Sequence, residues 1–87
     1  MKLRRSLDVS QLEPCEPLER VLATLPTLQP GEYLQVLHRM EPHLLYPMLT
    51  RTGYAWKTKS GQTPLIEIYI WRSDDHQAQL AVQTDVV

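Results

Sequence analysis

The stretch from Leu7 to Leu22, LDVSQLEPCEPLERVL, constrains the rest of the chain. It reads as a short strand, a tight loop and a helix. Leu7 and Val9 sit on one face of the strand, with Asp8 between them. Pro14 punctuates the loop. Pro17 suits the first position of a helix, where its missing N–H is unneeded and its φ is already helical. Leu18, Val21, Leu22 and Leu25 then recur at i, i+3, i+4 and i+7, with Glu19, Arg20 and Thr24 on the opposite side. Glu16 and Glu19 complement the positive end of that helix. Pro26 ends it, because a residue before proline disfavours α geometry.

After the Pro30-Gly31 turn the residues from Glu32 to His38 alternate. Leu34, Val36 and His38 face one way, Tyr33, Gln35 and Leu37 the other, as in a strand. Glu41-Pro42 precedes a second helix with Leu44, Leu45, Met48 and Leu49 as its buried face. Pro47 requires this helix to start late, near His43 to Tyr46, since a proline deeper inside costs about 3 kcal/mol. Gly53 follows as a left-handed cap. Tyr54 to Lys59 forms a third strand, Ser60-Gly61-Gln62 a hairpin loop, and Leu65 to Arg72 a fourth strand with Ile66, Ile68 and Ile70 on one face. The order β-α-β-α-β-β predicts right-handed parallel crossovers among the first three strands and an antiparallel fourth. The fold class is an α/β (α+β) two-layer sandwich with both helices on one sheet face and the other face open. Residues 1–6 are expected as a flexible arm, 7–72 as the domain, and 73–87 as a polar, frayed tail with at most a short element around Leu80 to Val82.

Bulk properties narrow the class. A chain of 87 residues with 43% hydrophobic content is one small domain. A net charge of −1 gives no field favouring nucleic acid or an anionic membrane. The basic cluster Lys2, Arg4, Arg5 reads as a solvated leader. One cysteine excludes an internal disulfide. No apolar run follows the basic start and none is long enough to span a bilayer. A cytoplasmic protein without a membrane role is expected.

Leu7-Asp8, Leu12 and Pro-Cys-Glu-Pro ahead of an amphipathic helix resemble the TusA/SirA-like sulfur carriers. Together with the strand ending in His38-Arg39-Met40-Glu41-Pro42 and with Leu45-Tyr46-Pro47, the pattern more closely resembles an uncharacterised domain family, a domain of unknown function related to TusA. The resemblance covers roughly Leu7 to Arg72. It implies a mixed four-stranded sheet in the order 1-2-4-3, as in the C-terminal domain of translation initiation factor three. In the carriers a Cys-Pro-x-Pro cysteine takes up a persulfide. Here the first two positions are exchanged, so that Pro14 stands where the carrier has cysteine and Cys15 where it has proline.

Three groups of residues are candidates for function. Cys15, just before a helix N-terminus, is placed for a lowered thiol pKa and persulfide exchange, although Glu13 and Glu16 oppose a second negative charge. The favoured reading is that Cys15 packs. His38, Glu41 and His43 lie at a strand end, where an imidazole–carboxylate pair could share a metal or haem; the favoured roles are a loop hydrogen bond for His38 and a helix cap for Glu41. Tyr33, Leu37, Tyr69 and Trp71 share the open sheet face, with Trp56 nearby, and suit a protein partner or a homodimer contact better than RNA. The expected function is therefore a non-enzymatic binding or accessory domain, with no cofactor, acting through a protein partner or small ligand. Glu13, Pro14, Glu16, Pro17, His38, Glu41, Pro42, Tyr69 and Trp71 are its candidate contacts. Sulfur relay on Cys15 and metal or haem binding are the alternatives.

Overall fold

The computed structural model describes residues 3–11, 16–60 and 65–86. Among these, β1 (Arg4–Asp8) leads to α1 (Glu16–Thr24) and a 3₁₀ turn (Leu25–Thr27). Then follow β2 (Tyr33–His38), α2 (Leu45–Arg51), β3 (Tyr54–Ser60), β4 (Ile66–Arg72) and α3 (His76–Asp85). The strands form one sheet in the order β1-β2-β4-β3. β1 runs parallel to β2, and β4 is antiparallel to both β2 and β3. This is an α+β fold with the mixed 1-2-4-3 sheet that the family resemblance implies.

Alternation sorts the sheet into two faces. Leu34 and Val36 on β2 stand beside Ile68 and Ile70 on β4, and all four are fully shielded from solvent. Val21 and Leu25 from the first helical segment, and Leu45 and Leu49 from α2, close over them. Burying each such side chain stabilises the fold by about 1.5–3 kcal/mol, so this layer dominates the stability. Pro47 is the third residue of α2, where an N–H would have no intrahelical acceptor. Gly53 ends the turn after α2 at φ +86°, as expected of a left-handed cap. Trp56 pairs with Ile70 across β3 and β4 and so belongs to this core face, stacked on Tyr46 at 5.2 Å between ring centroids.

The opposite face is not open. The segment expected as a frayed tail is α3, and it lies across Tyr33 and Tyr69 through Val82 and, just beyond the helix, Val86. Leu3, Trp71 and Ala81 complete this second cluster. Asp75 caps α3 by accepting from the Ala78 N–H at 3.0 Å, and it also accepts from the Gly31 N–H at 2.8 Å. One carboxylate therefore starts the helix and ties it to the turn before β2. At the far end the Tyr33 hydroxyl donates to Asp85 at 2.8 Å. The expected two-helix sandwich with a bare second face thus becomes a sheet with α1 and α2 on one side and α3 on the other.

The N-terminal boundary also moves. Arg4 to Ser6, expected in a loose arm, pair with Tyr33 to Gln35 as the first part of β1. Arg4 donates to the Tyr33 hydroxyl at 2.9 Å, with its guanidinium about equally far, 5.6 and 5.5 Å, from the Tyr33 and Tyr69 ring centres. A charge that looks solvated in sequence is held here by two aromatic faces.

Candidate functional site

β1 and β2 run parallel, so their C-terminal ends meet at one edge of the sheet, and the chain leaves both there. Ser10 closes β1: its N–H and hydroxyl both donate to Asp8 Oδ1, at 2.9 and 2.6 Å. These bonds hold the Asp8 carboxyl below the usual aspartate range. The Val9 N–H donates to the Leu37 carbonyl at 3.0 Å and zips the edge shut. Beyond it, the β2–α2 connection swings outward and leaves a cavity of about 470 Å³.

Val9, Pro17, Leu18, Pro42 and Leu45 supply much of the apolar lining, and His38, Arg39, Met40, Glu41, His43 and Leu44 the rest. The connection is stiffened from below. Tyr46 on α2 donates to Glu41 at 3.1 Å and shares a 2.8 Å hydrogen bond with Thr58 on β3. Its burial raises the phenol pKa, so the hydroxyl keeps its proton as a donor. Glu41 is therefore bonded by Tyr46 and does not cap α2, whose N-cap residue, Leu44, makes no side-chain cap bond.

His38 does bond the loop. The Met40 N–H donates to His38 Nδ1 at 3.1 Å. A backbone N–H gives its proton to a ring lone pair, so the imidazole carries its own proton on Nε2. Burial, and secondarily the Arg39 charge, push the His38 pKa below its ordinary value and favour this neutral form. The tautomer counts against metal ligation through Nε2, which calls for a proton on Nδ1 donated outward. Glu41 and His43 approach to 3.8 Å on the loop, but no three His, Cys, Asp or Glu side chains among the described residues are grouped to hold a metal ion.

The cavity therefore joins four of the sequence-predicted residues, Pro17, His38, Glu41 and Pro42, with His43 beside them. Tyr69 and Trp71 lie apart, on the far face against α3, and Tyr69 is buried there. Glu13, Pro14 and Cys15 lie outside the described residues, as does the side chain of Glu16. Neither Met40 nor Leu44 is a candidate contact in the sequence, yet among the described residues they are the most exposed large apolar side chains, at 66% and 80%. Leu44, expected on the buried face of α2, precedes the helix and faces solvent. A local signal marks Met40 alone: HRMEP sets it between two charged residues, two positions ahead of Pro42.

An α+β domain with an apolar cleft where two parallel strands end is the class that fold and site define. The chain belongs to the family described as an uncharacterized conserved protein (DUF2249), whose model matches residues 6–72. No curated protein and no solved structure gives a significant match.

Proposed function

We propose that the chain is a non-enzymatic binding domain that docks an apolar segment of a partner protein into the cavity at the β1–β2 edge. The observation that carries this reading is the pairing of a largely apolar cavity with Met40 and Leu44 exposed on its lining. A small ligand would fill the cavity and leave much of that outer apolar surface in water. A protein segment covers both, as apolar anchors at interface centres do. No helix among the described residues is long and apolar enough to cross a membrane, and a reducing cytoplasmic setting accords with a single cysteine.

The resemblance to the sulfur carriers gives a second reading, persulfide carriage on Cys15. What favours it is position in the sequence: Cys15 comes just before Glu16, where α1 begins, and a cysteine ahead of a helix start is of the type that forms thiolate readily. One experiment separates the two. A random-peptide display selection against the full chain should enrich apolar peptides that bind the parent and its Cys15→Ser variant equally and bind a Met40→Ser/Leu44→Ser double variant more weakly. Both serines replace exposed residues, so stability should stay within about 0.5 kcal/mol of the parent. Peptides that bind the double variant as well as the parent overturn the docking reading. Persulfide loading and transfer that vanish in Cys15→Ser would establish carriage instead.

A further inference from the structure

The half-buried His38 is the polar feature of the cavity whose state the geometry fixes. Nδ1 is occupied by the Met40 N–H, so the free ring position is an Nε2–H donor. Among the described residues nothing accepts from it. Nor does any buried side-chain nitrogen or oxygen lack a partner, so Nε2 opens onto accessible space beside the apolar lining. A donor in such a place is satisfied by water while the site is empty. Any occupant that expels the water must supply an acceptor or leave the donor unpaired, which costs more than the bond itself contributes. Among the described residues, the Asp, Glu, Lys and Arg side chains lining the cavity are Arg39 and Glu41, one of each sign, and they give no net charge to select an anion.

We infer that the segment taken by this cavity presents a large apolar side chain next to a main-chain carbonyl, and that this carbonyl accepts from His38 Nε2–H. The inference rests on the docking reading and adds to it the chemistry of recognition. A side chain alone would fill the lining and strand the donor. A carboxylate would satisfy the donor but would lose its own hydration on entering an apolar lining, where Arg39 and Glu41 together offer no net positive charge to offset that loss. A neutral amide carbonyl does the first without the second.

Three probes with apolar chains of similar length test it: N-methylhexanamide as a neutral carbonyl, hexanoate as an anionic acceptor, and hexylammonium as a donor. Each is titrated into the ¹⁵N-labelled full chain, following the amides of Val9, Met40, Leu44 and Leu45 and the His38 ring nitrogens. The amide should bind several-fold to tenfold more tightly than hexylammonium, the range of one hydrogen bond. It should bind at least as tightly as hexanoate, and it should move the Nε2 resonance. His38→Phe keeps the ring and should abolish the preference, whereas His38→Gln, with an N–H near the Nε2 position, should retain it. The inference falls if all three probes bind equally, if hexanoate is strongly preferred, or if His38→Phe keeps the preference, and in each case the cavity stands as an apolar site. If no probe reaches the cavity, the docking reading falls too.

Discussion

Replacing Val82 by alanine tests whether the C-terminal segment is part of the fold. Val82 is 2% exposed and packs with Tyr33, Tyr69 and Val86. Removing its two methyl groups in exchange for one β-hydrogen set forfeits about 1.5 kcal/mol of transfer energy, and incomplete collapse around the rigid tyrosines adds up to about 1 kcal/mol. Helix propensity works in the opposite direction: alanine is the better helix former, by roughly 0.5 kcal/mol. The net expectation is a loss of about 1–2 kcal/mol, on the order of 10 °C in melting temperature for a domain of this size. Leu80, on the same helix but 53% exposed, is the control, and Leu80→Ala should stay within about 0.5 kcal/mol of the parent. Urea unfolding followed by tryptophan fluorescence reads both, because Trp71 packs against the Val82 cluster. If α3 did not dock, Val82→Ala would leave stability unchanged while raising helicity by circular dichroism. That result would refute the packing argument, since only burial opposes the propensity gain.

Substitutions at Asp75, Gly53, Gly31 and Gln77 probe how α3 and the turns are held. Hydrogen bonds from the Gly31 and then the Ala78 N–H keep the Asp75 carboxyl below its ordinary value of 3.8, so it binds a proton less readily folded than unfolded. Its contribution is therefore present above about pH 4 and fades as pH falls through and below that value. Asp75→Ala should cost about 1–2 kcal/mol at pH 7, and the gap between parent and variant melting temperatures should narrow as the pH falls below about 4. Gly31 and Gly53 have nearly the same positive φ, +85° and +86°, but a Cβ would meet Gln77 Cδ at 3.1 Å on Gly31 and nothing within 4 Å on Gly53. Alanine at Gly53 should then cost about 1 kcal/mol of backbone strain, and alanine at Gly31 more. Adding Gln77→Ala should bring the Gly31 variant back to the Gly53 level in thermal unfolding.

The core face was legible because its signals are periodic. Leu34 and Val36, and Ile66, Ile68 and Ile70, alternate without interruption, and Pro17, Pro26 and Gly53 punctuate the helices. Strand directions then follow from short right-handed crossovers and a hairpin, while the order 1-2-4-3 is what the family resemblance implies. The α3 helix was not legible for the opposite reason. HQAQLAVQTD buries only Ala78 and Val82 within the helix, too few for a periodic stripe, and its capping carboxylate draws part of its hold from Gly31, 44 residues away. The first residues of β1 were hidden in the same way, because Arg4 is held by rings that come together only in the folded sheet. At the candidate site, the strand end nominates His38, Glu41 and Pro42, and all three line the cavity. Leu44 was misassigned because Leu44, Leu45, Met48 and Leu49 satisfy a helical period that the structure begins one residue later.

Magnitudes say what an occupant of the cavity must do. Met40 and Leu44 are each worth about 1.5–3 kcal/mol if moved from water to a buried interface, or roughly 3–6 kcal/mol together. Association costs at least about 4 kcal/mol in lost translational and rotational freedom, so contact with those two side chains alone leaves little or nothing. The rest must come from filling the cavity they border, over Val9, Pro17, Leu18 and Leu45. With α3 closing the aromatic face over Tyr33 and Tyr69, the sheet no longer offers a competing apolar surface at those residues. A partner that only touches the loop would be held no better than millimolar, where the free energy is about 4 kcal/mol. One that inserts a side chain gains the lining as well, and it must then satisfy the donor on His38 Nε2. Depth of insertion and the hydrogen bond are thus coupled: in a double-mutant cycle, His38→Phe and Leu44→Ser should both weaken a selected peptide, and the His38 effect should shrink when the peptide's inserted side chain is cut back to alanine.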